Sequence, residues 1–109
     1  MYELVYAETI QEDLRHIDRK YHPAIRDAIA EQLRFSAHIE TRNRKPLNPS
    51  IRDADWELRC GISNRFRVLY SLELPNEDNP EEPSPRVLIK AIGEKRNNTL
   101  HIAGEEIDP

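Results

Sequence analysis

The chain has 109 residues, 38% of them apolar and 33% charged, with 16 Lys and Arg against 20 Asp and Glu and a formal net charge of −4. That length suits one domain spanning residues 1–109 and excludes two, and the clear helical and strand periods exclude a disordered chain. No apolar run is long enough to cross a bilayer, Met1-Tyr2-Glu3-Leu4 begins no basic-then-apolar leader, and a lone Cys60 excludes an internal disulfide, so the expected address is the cytoplasm.

Tyr2, Leu4 and Tyr6 alternate with Glu3, Val5 and Ala7, which predicts a first strand. Thr9 with Glu12 three residues later reads as a capping box opening a helix. Ile10, Leu14, Ile17 and Tyr21 then recur at helical spacing as an apolar stripe. His22-Pro23 interrupts it and starts a second helix, expected from about residue 23 to 37. The two make a helical hairpin able to cover one face of a sheet.

From residue 40 to 54 periodicity fails, and Pro46, Asn48, Pro49 and Ser50 mark a loop. Strands follow at about 55–60, 65–74 and 86–92, the last apolar on both faces and so central, with Gly93 ending it. Residues 99–103 suit a short final strand or a vestige of a terminal helix. Residues 75–85, with four prolines and four acids, predict a flexible acidic loop. The expected class is α+β: a strand, a two-helix hairpin, then a three- to four-stranded antiparallel sheet.

The segments Trp56-Glu57-Leu58-Arg59 and Arg65-Phe66-Arg67-Val68-Leu69-Tyr70 place apolar bulk on one face. Trp56, Leu58, Cys60, Phe66, Val68 and Tyr70 point to a core, leaving Cys60 as a buried filler. Glu57, Arg59, Arg65 and Arg67 share the other face, where three guanidinium groups can meet a phosphate chain. Residues 42–67 carry seven cations (Arg42, Arg44, Lys45, Arg52, Arg59, Arg65, Arg67) against Asp53, Asp55 and Glu57, whereas residues 1–41 and 68–109 are both acidic. A basic centre between acidic ends points to a local anionic ligand, or to a solvated strand face. No His, Cys, Asp or Glu cluster has metal-ligand spacing, so neither metal nor cofactor is expected.

Thr41-Arg42-Asn43-Arg44-Lys45-Pro46-Leu47, Trp56-Glu57-Leu58-Arg59, Arg65-Phe66-Arg67-Val68-Leu69-Tyr70 and Ala91-Ile92-Gly93-Glu94-Lys95, in that order, resemble the RelE/ParE superfamily of toxins from prokaryotic type II toxin–antitoxin modules. The resemblance implies a toxin that cuts mRNA on the ribosome without metal and so inhibits translation. It also implies two partners, a cognate antitoxin and mRNA on the ribosome, with a higher-order toxin–antitoxin complex left open. Carried over by position, Arg67 corresponds to the phosphate-clamping arginine, Lys95 to a second cation with Arg96 as its near substitute, and His101 to the residue assisting catalysis. Glu57 corresponds to a carboxylate base, or is a partner for Arg59 or Arg67. Arg59 and Arg65 extend the clamp, and Arg42, Arg44 and Lys45 hold RNA phosphates from the flanking loop. On the bare pattern, His101 also suits a surface histidine and Arg42-Asn43-Arg44-Lys45 a solvated loop. The same scaffold carries two alternatives: a ParE-like toxin that inhibits DNA gyrase without chemistry, and a decayed or phage-derived member that only binds an antitoxin.

Overall fold

A computed structural model describes residues 1–75 and 84–107. In chain order these give β1 (Glu3–Tyr6), α1 (Ile10–Arg15), α2 (His22–Leu33), β2 (Arg44–Ile51), β3 (Ala54–Cys60), β4 (Phe66–Glu73), β5 (Arg86–Arg96), β6 (Thr99–Ile102) and β7 (Glu105–Ile107). Short 3₁₀ turns at Arg19–Tyr21 and Ile62–Asn64 precede α2 and β4. The class is α+β, as the alternation and the helical stripe imply, but the sheet has more strands than expected. Its order is β2-β3-β4-β5-β6-β7, with β1 added parallel to β5. The acidic loop expected over 75–85 falls mostly outside the described residues.

Two expectations about the strands are corrected. The predicted loop over 40–54 contains β2, whose register with β3 runs from Arg44 opposite Leu58 to Pro46 opposite Trp56 and then slips before Ile51. Prolines are tolerated there because β2 is an edge strand, where a missing N–H faces no ladder partner. Gly93 does not end β5, which continues to Arg96. A Cβ at Gly93 would lie 2.7 Å from the carbonyl oxygen of His101, so this glycine permits close β5–β6 approach instead of stopping the strand. The turn comes at Asn97 and Asn98, with φ of 51° and 67°, the left-handed pair of a two-residue hairpin.

The helices also differ from the expected hairpin. Thr9 is itself helical, with φ −74° and ψ −11°, and its side chain makes no capping bond. Glu12 instead pairs with Arg15 and His16. The first helix therefore stops at Arg15, and a turn beginning at Asp18, whose side chain accepts from the Lys20 N–H, carries the chain into α2. The stripe still works: Ile10 and Ile17 are buried, and Leu14 and Tyr21 pack against the core. Helix α2 ends at Leu33, short of residue 37.

Apolar side chains fill both faces of the sheet. On the helix-covered face, Leu58, Cys60, Phe66, Val68 and Tyr70 join Ile25, Ile29, Leu33, Val87, Ile89 and Ile92 in the main core. Tyr70 donates to the Ala37 carbonyl at 2.8 Å, and its ring stacks on Trp56 with centroids 6.0 Å apart. On the inner face, Ala54, Leu69, Ala91, Leu100 and Ile102 form a second cluster with Leu47, Ile51 and Ile107 around it. The sheet curls about this cluster until its outer strands approach, and Arg52 pairs with Glu105 across the opening at 3.2 Å.

Strand β5 is central, as its apolar character implies. One edge pairs with β4; the other is shared by β1, along Arg86–Ile89, and β6, along Gly93–Arg96. Between these two neighbours the backbone N–H of Ile92 donates to the buried carboxylate of Asp13 on α1 at 3.0 Å. Among the described residues no helix is long and apolar enough to cross a membrane.

Candidate functional site

Arg67 sits near the start of β4, opposite Arg59 on β3 and Gly93 on β5. Its neighbours Phe66 and Val68 enter the main core, so alternation turns Arg67 to the inner face of the curled sheet. Two arginines directly opposite each other repel. Glu57, one step along the same face of β3, offsets this: its Oε1 accepts from Arg59 Nε at 2.8 Å and lies 3.8 Å from Arg67 Nε.

Arg67 is 8% exposed, and its Nη1 donates to the carbonyls of Asn64 and Phe66. Its Nε is buried and has no hydrogen-bond partner among the described residues. Burial lowers the guanidinium from its ordinary range, with Glu57 opposing that shift and Arg59 adding to it. A cation this buried, with one donor unpaired, is poised to accept an anion.

The recess it lines has a volume of about 220 Å³ and is shared with Glu57, Lys95, Asn98, Thr99 and Glu106. Apolar walls come from Ile51, Leu100 and Ile107. Lys95 Nζ donates to the Asn98 carbonyl at 3.4 Å, which holds the ammonium over the β5–β6 turn. Arg67, Lys95 and Glu57 thus meet in one place. Thr99, Asn98 and Glu106 belong there too, although nothing in their own pattern marks them. Asn97-Asn98 is the signal that finds them, since a two-residue left-handed turn folds β6 back beside Lys95.

Other expected residues lie elsewhere. His101 is opposite Glu94 and between Leu100 and Ile102, which enter the inner cluster, so its ring is on the other side of the sheet from Arg67. There its Nδ1 pairs with the Thr99 carbonyl at 3.1 Å. Arg65 does not share a face with Arg67. It precedes β4 in a helical conformation, and its Nε meets Glu94 Oε2 at 2.5 Å, with the guanidinium 5.2 Å from the Tyr21 ring centroid. Arg96 holds the other Glu94 oxygen at 3.0 Å. The three expected guanidinium groups are therefore two, Arg59 and Arg67.

Arg44 is 6% exposed and points to neither loop nor solvent. Its Nε donates to the Ile39 carbonyl at 3.0 Å, and its Nη1 reaches the backbone and side-chain oxygens of Gln32. It ties α2 to β2. Lys45, opposite Glu57, and Arg42 are exposed at the margin of the inner face. Cys60 is buried, and burial pushes its thiol up to about 11, which suits a filler and not a nucleophile. Among the described residues, no three His, Cys, Asp or Glu side chains are grouped to hold a metal ion.

Chemically, the recess offers a buried cation, a second cation, two carboxylates and a hydroxyl, at the open end of an apolar-lined trough. Comparison of the chain with protein-family models, curated proteins and solved structures found no match in any of the three.

Proposed function

We propose that this protein is the toxin of a type II toxin–antitoxin module and cleaves mRNA on the ribosome. The observation that carries the reading is the meeting of Arg67, Lys95 and Glu57 in one recess, at the positions where the resemblance to RelE-type toxins puts the phosphate clamp. The Arg67 guanidinium attracts a non-bridging oxygen of the scissile phosphate, and Lys95 neutralises charge growing on the leaving 5′ oxygen. Glu57 takes the proton of the 2′-hydroxyl as that oxygen attacks phosphorus. The P–O5′ bond breaks and the 5′ oxygen takes a proton from the Lys95 ammonium, leaving a 2′,3′-cyclic phosphate and a 5′-hydroxyl. Lys45 and Arg42 guide flanking phosphates, and the antitoxin would silence the protein by covering this basic face.

One observation favours a second reading. His101 is across the sheet from Arg67, so the histidine that the resemblance offers for catalysis does not reach the clamp. A ParE-like toxin that holds DNA gyrase without chemistry needs no such contact. The two readings separate in one assay: purified protein on mRNA with translating ribosomes, comparing wild type with Arg67→Ala, Lys95→Ala and His101→Ala. The first requires codon-phased cuts, reduced at least about a hundredfold in Arg67→Ala and unchanged in His101→Ala. Growth arrest without cuts would overturn it and select the second.

A further inference from the structure

A second recess adjoins the first and shares Arg67, Lys95 and Asn98 with it. Its volume is about 510 Å³, and its remaining lining comes from Ile62, Ser63, Asn64, Arg65 and Asn97. The size difference matters. Ligand sites generally run from about 300 to 1,000 Å³, so the inner recess admits a charged group while the outer one admits a whole nucleoside.

Two left-handed turns frame the outer recess. Ser63 and Asn64 both have φ of 53°, and Asn97 and Asn98 have φ of 51° and 67°. Asparagine tolerates this conformation better than most residues, and Asn64, Asn97 and Asn98 each present an amide with both a donor and an acceptor. The first turn is fixed from behind: a Cβ at Gly61 would lie 2.4 Å from the Phe66 ring, so the chain enters it against an aromatic wall. The same turn supplies the Asn64 carbonyl that holds Arg67. The first turn is thereby hydrogen-bonded to the cation of the inner recess. Ile62 is 66% exposed and offers an apolar surface beside the amides.

We infer that this outer recess is a base-reading subsite for single-stranded RNA. The nucleotide next to the phosphate held by Arg67 lays its base face against Ile62, while the amides of Asn64, Asn97 and Asn98 pair with its edge. Unpaired bases expose these edges, and asparagine can satisfy a donor–acceptor pair on one of them. This inference rests on the RNA reading above. It makes the two asparagine turns the specificity-determining elements, separate from the groups that bind charge.

The test uses short single-stranded oligoribonucleotides differing at one position, titrated by fluorescence anisotropy against the full chain. Glycine variants are suited to it, because Asn64→Gly and the Asn97→Gly/Asn98→Gly pair remove the amides and keep the left-handed backbone. Wild type should prefer one base at one position by roughly 10-fold. The glycine variants should bind every oligonucleotide about as weakly as wild type binds its poorest, with the salt dependence unchanged. Arg67→Ala should weaken all of them alike. Equal affinity for all bases in wild type, or a preference that survives in the glycine variants, overturns the inference and leaves the RNA reading standing. Absence of binding to every oligoribonucleotide at low salt overturns the inference, and codon-phased cutting on translating ribosomes then still decides the RNA reading.

Discussion

The Nε of Arg67 stands 3.8 Å from the Oε1 of Glu57, near enough to feel its charge and too far to hydrogen-bond it. The carboxylate is instead bonded to Arg59, at 2.8 Å. Glu57 therefore acts as a resident counter-ion in the recess, and one donor of the buried guanidinium has no hydrogen-bond partner among the described residues.

Glu57→Gln keeps the shape and removes the charge. Anion binding at low salt should tighten by roughly three- to tenfold, because an entering phosphate no longer competes with a carboxylate. If Glu57 is also the base, cleavage should fall by about a hundredfold or more in the same variant. Tighter binding with slower turnover, measured as KM and kcat, checks both roles at once. Weaker binding would show that the carboxylate organises Arg67 instead of competing for it.

Arg44 and Lys45 are adjacent and should behave oppositely. Arg44→Ala removes the guanidinium that bonds Ile39 and Gln32, and should cost about 2–3 kcal/mol, a fall in Tm of the order of 10 °C. It should leave the salt dependence of RNA binding unchanged. Lys45→Ala should leave Tm unchanged and lower the slope of log affinity against log salt by about 0.7. Thermal melts and salt titrations of the two variants decide it.

Asp13 should set a pH dependence of stability unlike that of an ion-paired acid. Burial raises its carboxyl above the ordinary 3.8, opposed by the Ile92 N–H and the charge of Arg52. The native state then binds a proton more readily than the unfolded chain. The group's contribution is fully favourable below 3.8 and diminishes as pH rises through the raised native value. Asp13→Asn retains an oxygen for Ile92 without this dependence, so its stability relative to wild type should improve from acid to neutral pH. Asp13→Ala strands the Ile92 N–H and should cost about 1–3 kcal/mol at acid pH, a cost that shrinks toward neutral pH as the wild type loses its own contribution. Denaturant titrations across the acid range measure both.

Cys60 reports on opening of the core. With its thiol pushed up to about 11 by burial, a thiol reagent at mildly alkaline pH should label the native protein at least about a hundredfold more slowly than the denatured chain. Labelling should rise together with the unfolding transition. Fast labelling of the native protein would mean that the face formed by Cys60, Phe66 and Leu58 opens independently.

The inward side of β3 and β4 was legible because strand alternation needs only neighbours: Trp56, Leu58, Phe66, Val68 and Tyr70 lie where their period puts them. Arg67 and Glu57 were legible for the same reason. What alternation does not encode is where a strand begins. Arg65 was assigned to β4 by counting back, but the left-handed Ser63 and Asn64 delay the strand by one residue and send Arg65 to Glu94. Arg44 was hidden differently. Its partners are a helix side chain and two carbonyls, and a buried arginine satisfied by carbonyls looks like any surface arginine in one dimension. The strand β2 was masked by its prolines, whose meaning depends on an edge position that only the completed sheet defines. The position of His101 relative to Arg67 depends on the Asn97-Asn98 turn, which reverses the chain and which alternation does not encode.

The shared edge of β5 has a kinetic consequence. Every antiparallel pairing from β2 to β7 joins strands adjacent in sequence, whereas β1 pairs Glu3 with Arg86 and Tyr6 with Ile89. Closing so large a loop costs chain entropy before any contact rewards it, so β1 is the element that docks last and leaves first. Hydrogen exchange should show it directly: the Ala7 amide, bonded to the Ile89 carbonyl at 2.9 Å, should exchange ahead of the amides between β3 and β4. Early exchange at Ala7 would make the N-terminal strand a detachable latch on the β2–β7 meander.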